Sequence, residues 1–126
     1  MKRSICVALV LAISLPVMAK EATKDGSMVV LPLEAQACNL PSAPPPIPET
    51  PVYDDLIQAQ KGVKGFQADM EVYRTCINGD APSDELSEGN RLAITNAHNY
   101  SVDMEERVAE MFNVAVRAYK ANKAKD

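Results

Sequence analysis

Three groups of residues in this chain have the types and spacing that could do chemistry. The first is a pair of cysteines, Cys38 and Cys76. Once an export leader carrying Cys6 is removed they are the only two thiols left, and an oxidising compartment would join them to each other. The second is His98, the sole histidine. A nucleophile–histidine–acid arrangement would have to be built around that one imidazole, and the chain has no Gly-x-Ser-x-Gly turn. Thr95, not a glutamate, precedes it by three positions, so the Glu-x-x-His pattern of diiron bundles is absent too. A flank or surface histidine is the simpler account. The third is the acidic run Asp103, Glu106 and Glu110, which shares a helix face with Asn99 one turn earlier and offers oxygen ligands for a weakly held divalent cation. Against that, Arg107 stands four residues after Asp103 and can pair with it, which makes the run a solvated, charge-laced face. No phosphate-cradling glycine loop or zinc spacing occurs. Asn99-Tyr100-Ser101 matches a glycosylation sequon but falls within a helical stretch. No resident cofactor and no enzymatic activity are expected.

The N-terminus reads as a secretory signal, residues 1–19. Lys2 and Arg3 open it, residues 5–15 are apolar, and Val17-Met18-Ala19 supplies modest side chains at the cleavage point. The apolar run is short of the about 20 residues a membrane span needs, and Pro16 and Lys20 close it, so no stable membrane anchor is expected. Removing residues 1–19 takes Lys2 and Arg3 away and moves the net charge from −4 to −6. That balance argues against nucleic acid as a partner, which would require a basic stripe. With no Trp and two Phe the core must be thin, the setting in which a disulfide contributes most.

The elements that position these groups follow from periodicity. Residues 20–37 are a polar lead, with an apolar knot at Met28-Val29-Val30-Leu31-Pro32-Leu33, for which weak order is expected. Residues 38–51 hold six prolines, which favours an extended polyproline-type strap. A helix is predicted over 51–78, capped by Thr50, with Pro51 at its first position and the stripe Leu56, Ala59, Val63, Phe66, Met70, Tyr73, Ile77 at spacings of 3 and 4. Asn78-Gly79 closes it. A second helix is predicted over 84–122, with the stripe Ala93, Ala97, Tyr100, Met104, Val108, Met111, Ala115, Ala118. The expected fold is therefore all-α. It is one domain over 38–126, an antiparallel two-helix hairpin whose polyproline strap is tied to the first helix by Cys38–Cys76.

Lengths support the strap. Twelve polyproline steps from Cys38 to Thr50 span about 37 Å, and the helix from Thr50 to Cys76 rises about 39 Å. By that ratio residues 43–45 pass over Gly62 and Gly65, whose missing side chains would let proline rings approach the helix; tolerated surface glycines are the alternative. Pairing the helices about the turn sets Thr50 opposite residue 112 and leaves about 15 Å of the second helix overhanging. Phe112, Val116 and Tyr119 would form an uncovered apolar stripe there, the candidate interface. It would take a protein partner or a second copy in a homodimer, unless Ile47, Val52 or the lead folds over it.

The order of parts, a cysteine opening a proline-rich strap, then YDDLIQAQKGVKGFQADMEVYRTCI, then ITNAHNYSVDMEERVAEMFNVAVRAYKA, resembles a family of small exported bacterial proteins in which such a strap precedes a helical hairpin. The similarity covers roughly residues 38–121. It implies export, helical content and the cysteine pair, and brings no activity, cofactor or site residue with it. The expected function is that of an exported, non-enzymatic protein of the bacterial envelope, periplasmic or secreted, with an interaction or structural role; the alternative is a weak carrier of a divalent metal or small ligand on the Asp103-Glu106-Glu110 face.

Overall fold

The computed structural model describes residues 23–79, 81–82 and 84–125. The predicted leader, residues 1–19, lies outside them. Three helices are present, α1 (Leu33–Gln36), α2 (Tyr53–Asn78) and α3 (Glu88–Lys123), and no strand occurs among the described residues. The two long helices pack on each other and α1 packs on α2.

The α2 stripe folds as its spacing predicts. Leu56, Phe66, Met70, Tyr73 and Ile77 are buried, with Ala59 and Val63 half-buried beside them. Its start differs from the expected Thr50–Pro51 by two residues. Val52 stands at the cap position, and the Asp55 carboxylate accepts its N–H at 2.9 Å, doing from inside the first turn what Thr50 was expected to do from outside. At the other end Gly79, at φ +57°, takes a backbone conformation that favours glycine, and its N–H donates to the carbonyls of Cys76 and Thr75.

In α3 the inward face runs Ala93, Ser101, Val108, Ala115, with Ala97 and Met104 half-buried. Tyr100 and Met111, placed on the stripe by periodicity, are 51% and 47% exposed. Ser101, fully buried, occupies the turn where Tyr100 was expected. The cause is a polar staple. Arg74 of α2 donates to Ser101 Oγ at 3.2 Å and to Glu105 Oε1 at 3.1 Å, while Ser101 donates to the His98 carbonyl at 2.6 Å. A fully buried hydroxyl with both bonds made costs little, whereas a tyrosine in that turn would have pushed the guanidinium out.

The helix register also differs from expectation. Tyr53, the first residue of α2, meets Tyr119 with ring centroids 6.4 Å apart, so Thr50 does not face residue 112. α3 starts at Glu88, not 84, because Ser87 and Asn90 cap it reciprocally: Ser87 Oγ accepts the Asn90 N–H at 3.0 Å and Asn90 Oδ1 accepts the Ser87 N–H. The later start slides α3 along α2 and removes the ten-residue overhang.

The lead, residues 20–37, was expected to be weakly ordered; among its described residues Ala35 is 4% exposed in the same hydrophobic cluster as Phe66, Met70 and Ile77, with Leu31 against it. Upstream, Asp25 and Ser27 cap a helix more than sixty residues away. Asp25 accepts the Glu88 N–H at 2.9 Å, Ser27 Oγ accepts the Gly89 N–H at 2.7 Å, and Asn90 Nδ2 donates to the Val30 carbonyl at 2.8 Å. Four orphan donors open every helix, and here a remote segment supplies acceptors for two of them.

The two long-range glycine contacts separate cleanly. Gly89 is buried, and a β-carbon there would overlap the Met28 carbonyl oxygen, an approach only glycine permits. A β-carbon on Gly62 would meet Pro44 at an ordinary 3.5 Å, whereas Gly65 has open space around it. The proline-rich segment thus crosses α2 at Gly62 but not at Gly65, which is a surface glycine. Intrinsic helix propensity predicts that Gly→Ala stabilises both Gly65 and Gly89 by about 1 kcal/mol. The structure splits them. Gly65→Ala should raise stability by about that amount, and Gly89→Ala should lower it by about 1–3 kcal/mol. Equilibrium denaturation of the two variants gives both signs.

Candidate functional site

The disulfide is formed: Cys38 and Cys76 are joined, with Cα atoms 5.8 Å apart. It fixes the start of the proline-rich segment to the last turns of α2, while Pro51, buried, ends that segment at the opposite end of the same helix. Between these anchors Pro44 rests on Gly62, and Pro45 and Ile47 line a small crevice with Ala59, Val63, Val108 and Met111. Residues 39–50 therefore lie across both long helices, with no helix or strand of their own.

This placement creates a concave surface. Pro46, Ile47 and Pro48 form one wall, and Met111, Val114 and Ala118 of α3 form the floor, of an open groove of about 490 Å³. Met111 is 47% and Val114 50% exposed, so both methyl-bearing side chains face the groove unburied. The predicted stripe lies on a neighbouring face. Phe112, Val116 and Tyr119 are each half-buried; Tyr119 is shared between the Tyr53 ring and Lys123 Nζ, which sits 5.8 Å from its centroid. The groove opens on the Met111 and Val114 side of α3, where the proline wall stands, next to the side carrying Phe112, Val116 and Tyr119. One sequence signal was available: Arg107, Met111, Val114 and Ala118 repeat at spacings of 4, 3 and 4.

The charged groups bear on what the groove can do. Glu110 bonds Arg117 at 2.8 Å, on the exposed surface beside Val114, and this ion pair holds the Glu110 carboxyl below the usual range. Glu105 is committed to Arg74. Asp103 and Glu106 are exposed. Among the described residues no group of three or more His, Cys, Asp or Glu could hold a metal ion. On the Asp103-Glu106-Glu110 face, Glu110 turns to an arginine. Arg107, expected to pair with Asp103, has no ion pair among the described residues, and neither does Glu49 at the groove's rim. His98 is half-buried on α3, and its role in the structure is the carbonyl that Ser101 bonds. A second cleft, lined by Pro32, Cys76, Ile77 and Ile94, lies beside the disulfide.

Comparison with protein-family models finds no match, and comparisons with curated proteins and with solved structures find none either. Among the described residues no helix is long and apolar enough to cross a membrane.

The strongest titration effect lies at the α3 cap. Hydrogen bonds from Ser27 Oγ, the Glu88 N–H and the Ser27 N–H hold the Asp25 carboxyl well below the usual carboxylate range. A depressed folded-state pKa stabilises fully above the unfolded value of about 3.9 and is lost as pH falls below it. Amide exchange at Glu88 and Gly89 should accordingly accelerate as pH is lowered below about 4, relative to the intrinsic rate. Asp25→Asn should show weaker protection at neutral pH and lack that dependence; equal profiles for the two proteins would contradict the assignment.

Proposed function

We propose that this chain is an exported, non-enzymatic protein of the bacterial envelope that works by binding a protein through the groove between the proline-rich segment and α3. In this reading the two long helices form an antiparallel hairpin and residues 39–50 are a polyproline strap laid across it. The observation that carries the reading is the groove itself. An apolar floor half-exposed at Met111 and Val114, with a proline wall beside it, is a surface of the sort that marks an interface. Proline rings lose little freedom on binding, so such a wall is preorganised for a partner.

Export is supported by two independent features. A basic, then apolar, then small-residue opening precedes the described residues, and a disulfide persists in oxidising compartments such as the periplasm or the extracellular space. The separation of the acidic side chains and the absence of a nucleophile–base pair in the sequence favour a binding role over a carrier or an enzyme.

A photoreactive phenylalanine analogue placed at Val114, in the full chain expressed in its native host, tests the reading. Irradiation should give covalent adducts with polypeptide from Val114 and none from Gln67, which is exposed on α2 away from the groove. No adduct at Val114, or equal yields at the two positions, would overturn it.

A further inference from the structure

We infer that Asn78-Gly79 is a latent deamidation site, held unreactive by the last turn of α2 and released when the Cys38–Cys76 disulfide is reduced.

The chemistry starts from residue order. Asn78-Gly79 is the one asparagine–glycine pair in the chain, and each other asparagine is followed by a residue with a side chain. Glycine leaves room for its own backbone nitrogen to approach the side-chain carbonyl carbon of the residue before it, and its backbone turns freely enough to get there. In the reaction the Gly79 nitrogen gives up its proton and bonds Asn78 Cγ, and Nδ2 leaves as ammonia. The succinimide ring so formed takes up one water and opens at either carbonyl. Aspartate or isoaspartate replaces the asparagine, and no oxidant or reductant enters that balance.

The fold ties up both partners in this step. The Gly79 N–H donates to the Cys76 carbonyl at 3.1 Å and to the Thr75 carbonyl at 3.3 Å. Asn78 Nδ2 donates to the Arg74 carbonyl at 2.8 Å. The nucleophile and the leaving group are both engaged as donors at the end of one helix. Burial plays no part, because Asn78 and Gly79 are exposed and, with Cys76 and Ile77, line the cleft beside the disulfide, where water reaches them. Hydrogen bonds hold the reaction off.

The disulfide helps keep those bonds closed. Ile77, 1% exposed, anchors the turn in the core. Cys76, whose carbonyl takes the Gly79 N–H, is joined through its sulfur to Cys38. Helix ends open locally at far lower free energy than cores, so the last turn frays once a tether is lost. A dithiol reductant removes the tether. Its thiolate attacks the sulfur of the exposed Cys76, Cys38 leaves as a thiolate, and the second thiol displaces Cys76; two electrons pass to the protein and the reductant ends as a disulfide. The deamidated turn does not close as before. A carboxylate at position 78 has no hydrogen to give the Arg74 carbonyl, and its charge stands at the negative end of the α2 dipole. Exposure to reductant is thereby recorded as a covalent mark.

Incubation of the full chain at neutral pH, followed by peptide mass mapping of amide loss at each asparagine, tests this. The chain oxidised at Cys38–Cys76 should keep Asn78 about tenfold longer than the same chain held in dithiothreitol. In the reduced chain Asn78 should lose its amide before any other asparagine. Reduction loosens more than one turn, so a second variant isolates the helix end. Thr75→Gly, at an exposed position and with the disulfide intact, should speed the loss about twofold. Equal rates for the oxidised and reduced chains, a rate untouched by Thr75→Gly, or earlier loss at another asparagine would each overturn the inference.

Discussion

The covalent tie between Cys38 and Cys76 is the constraint on which the rest of this molecule depends. Among the described residues the buried cluster is built on six side chains, Ala35, Phe66, Met70, Tyr73, Ile77 and Val108. One of the six, Ala35, comes from the lead, three residues before Cys38. A segment rich in proline and polar residues has little apolar surface of its own to hold it down, and a thin core of this kind gains most from a crosslink. Closing a separation of 38 residues removes much of the freedom of the unfolded chain. In the folded chain the bond sets where everything upstream can reach. Leu31 and Ala35 enter the cluster beside it, and residues 25–30 run on to the start of α3.

The same tie decides the shape of the outer surface. A segment pinned at Cys38 and at Pro51 must cross the helices between, and it crosses with Pro44 on Gly62 and Ile47 beside Val108 and Met111. Pro46–Pro48 then stand as a wall over α3 that no side chain of α2 or α3 could supply.

What could be read from the sequence was what local pattern controls. The α2 stripe was legible because its 3 and 4 spacing is unbroken, and the cysteine pairing because only two candidates remained once Cys6 was assigned to a predicted leader. On α3 the pattern misled by one position at Tyr100, since an arginine on the other helix makes serine the better-buried residue at that level. The Ser87–Asn90 cap was visible in principle, yet Asp84 and Glu85 gave an equally plausible earlier start. The order of the lead was out of reach. Asp25 and Ser27 act on amides at Glu88 and Gly89, and no local rule connects residues so far apart. Gly89 carried the one hint, a glycine near the start of a helix where nothing local calls for it. The groove was missed for a related reason: both sides of α3 are apolar near its end, and only the path of the proline segment selects which stays open.

The most direct measurement is the difference in unfolding free energy between the oxidised chain and Cys38→Ser/Cys76→Ser, by denaturant titration under identical conditions. If the tie organises the fold as described, the double variant should lose about 4 kcal/mol, the chain-entropy value for a loop of this length. A loss below about 1 kcal/mol would mean that the lead and the proline segment hold their places without the bond.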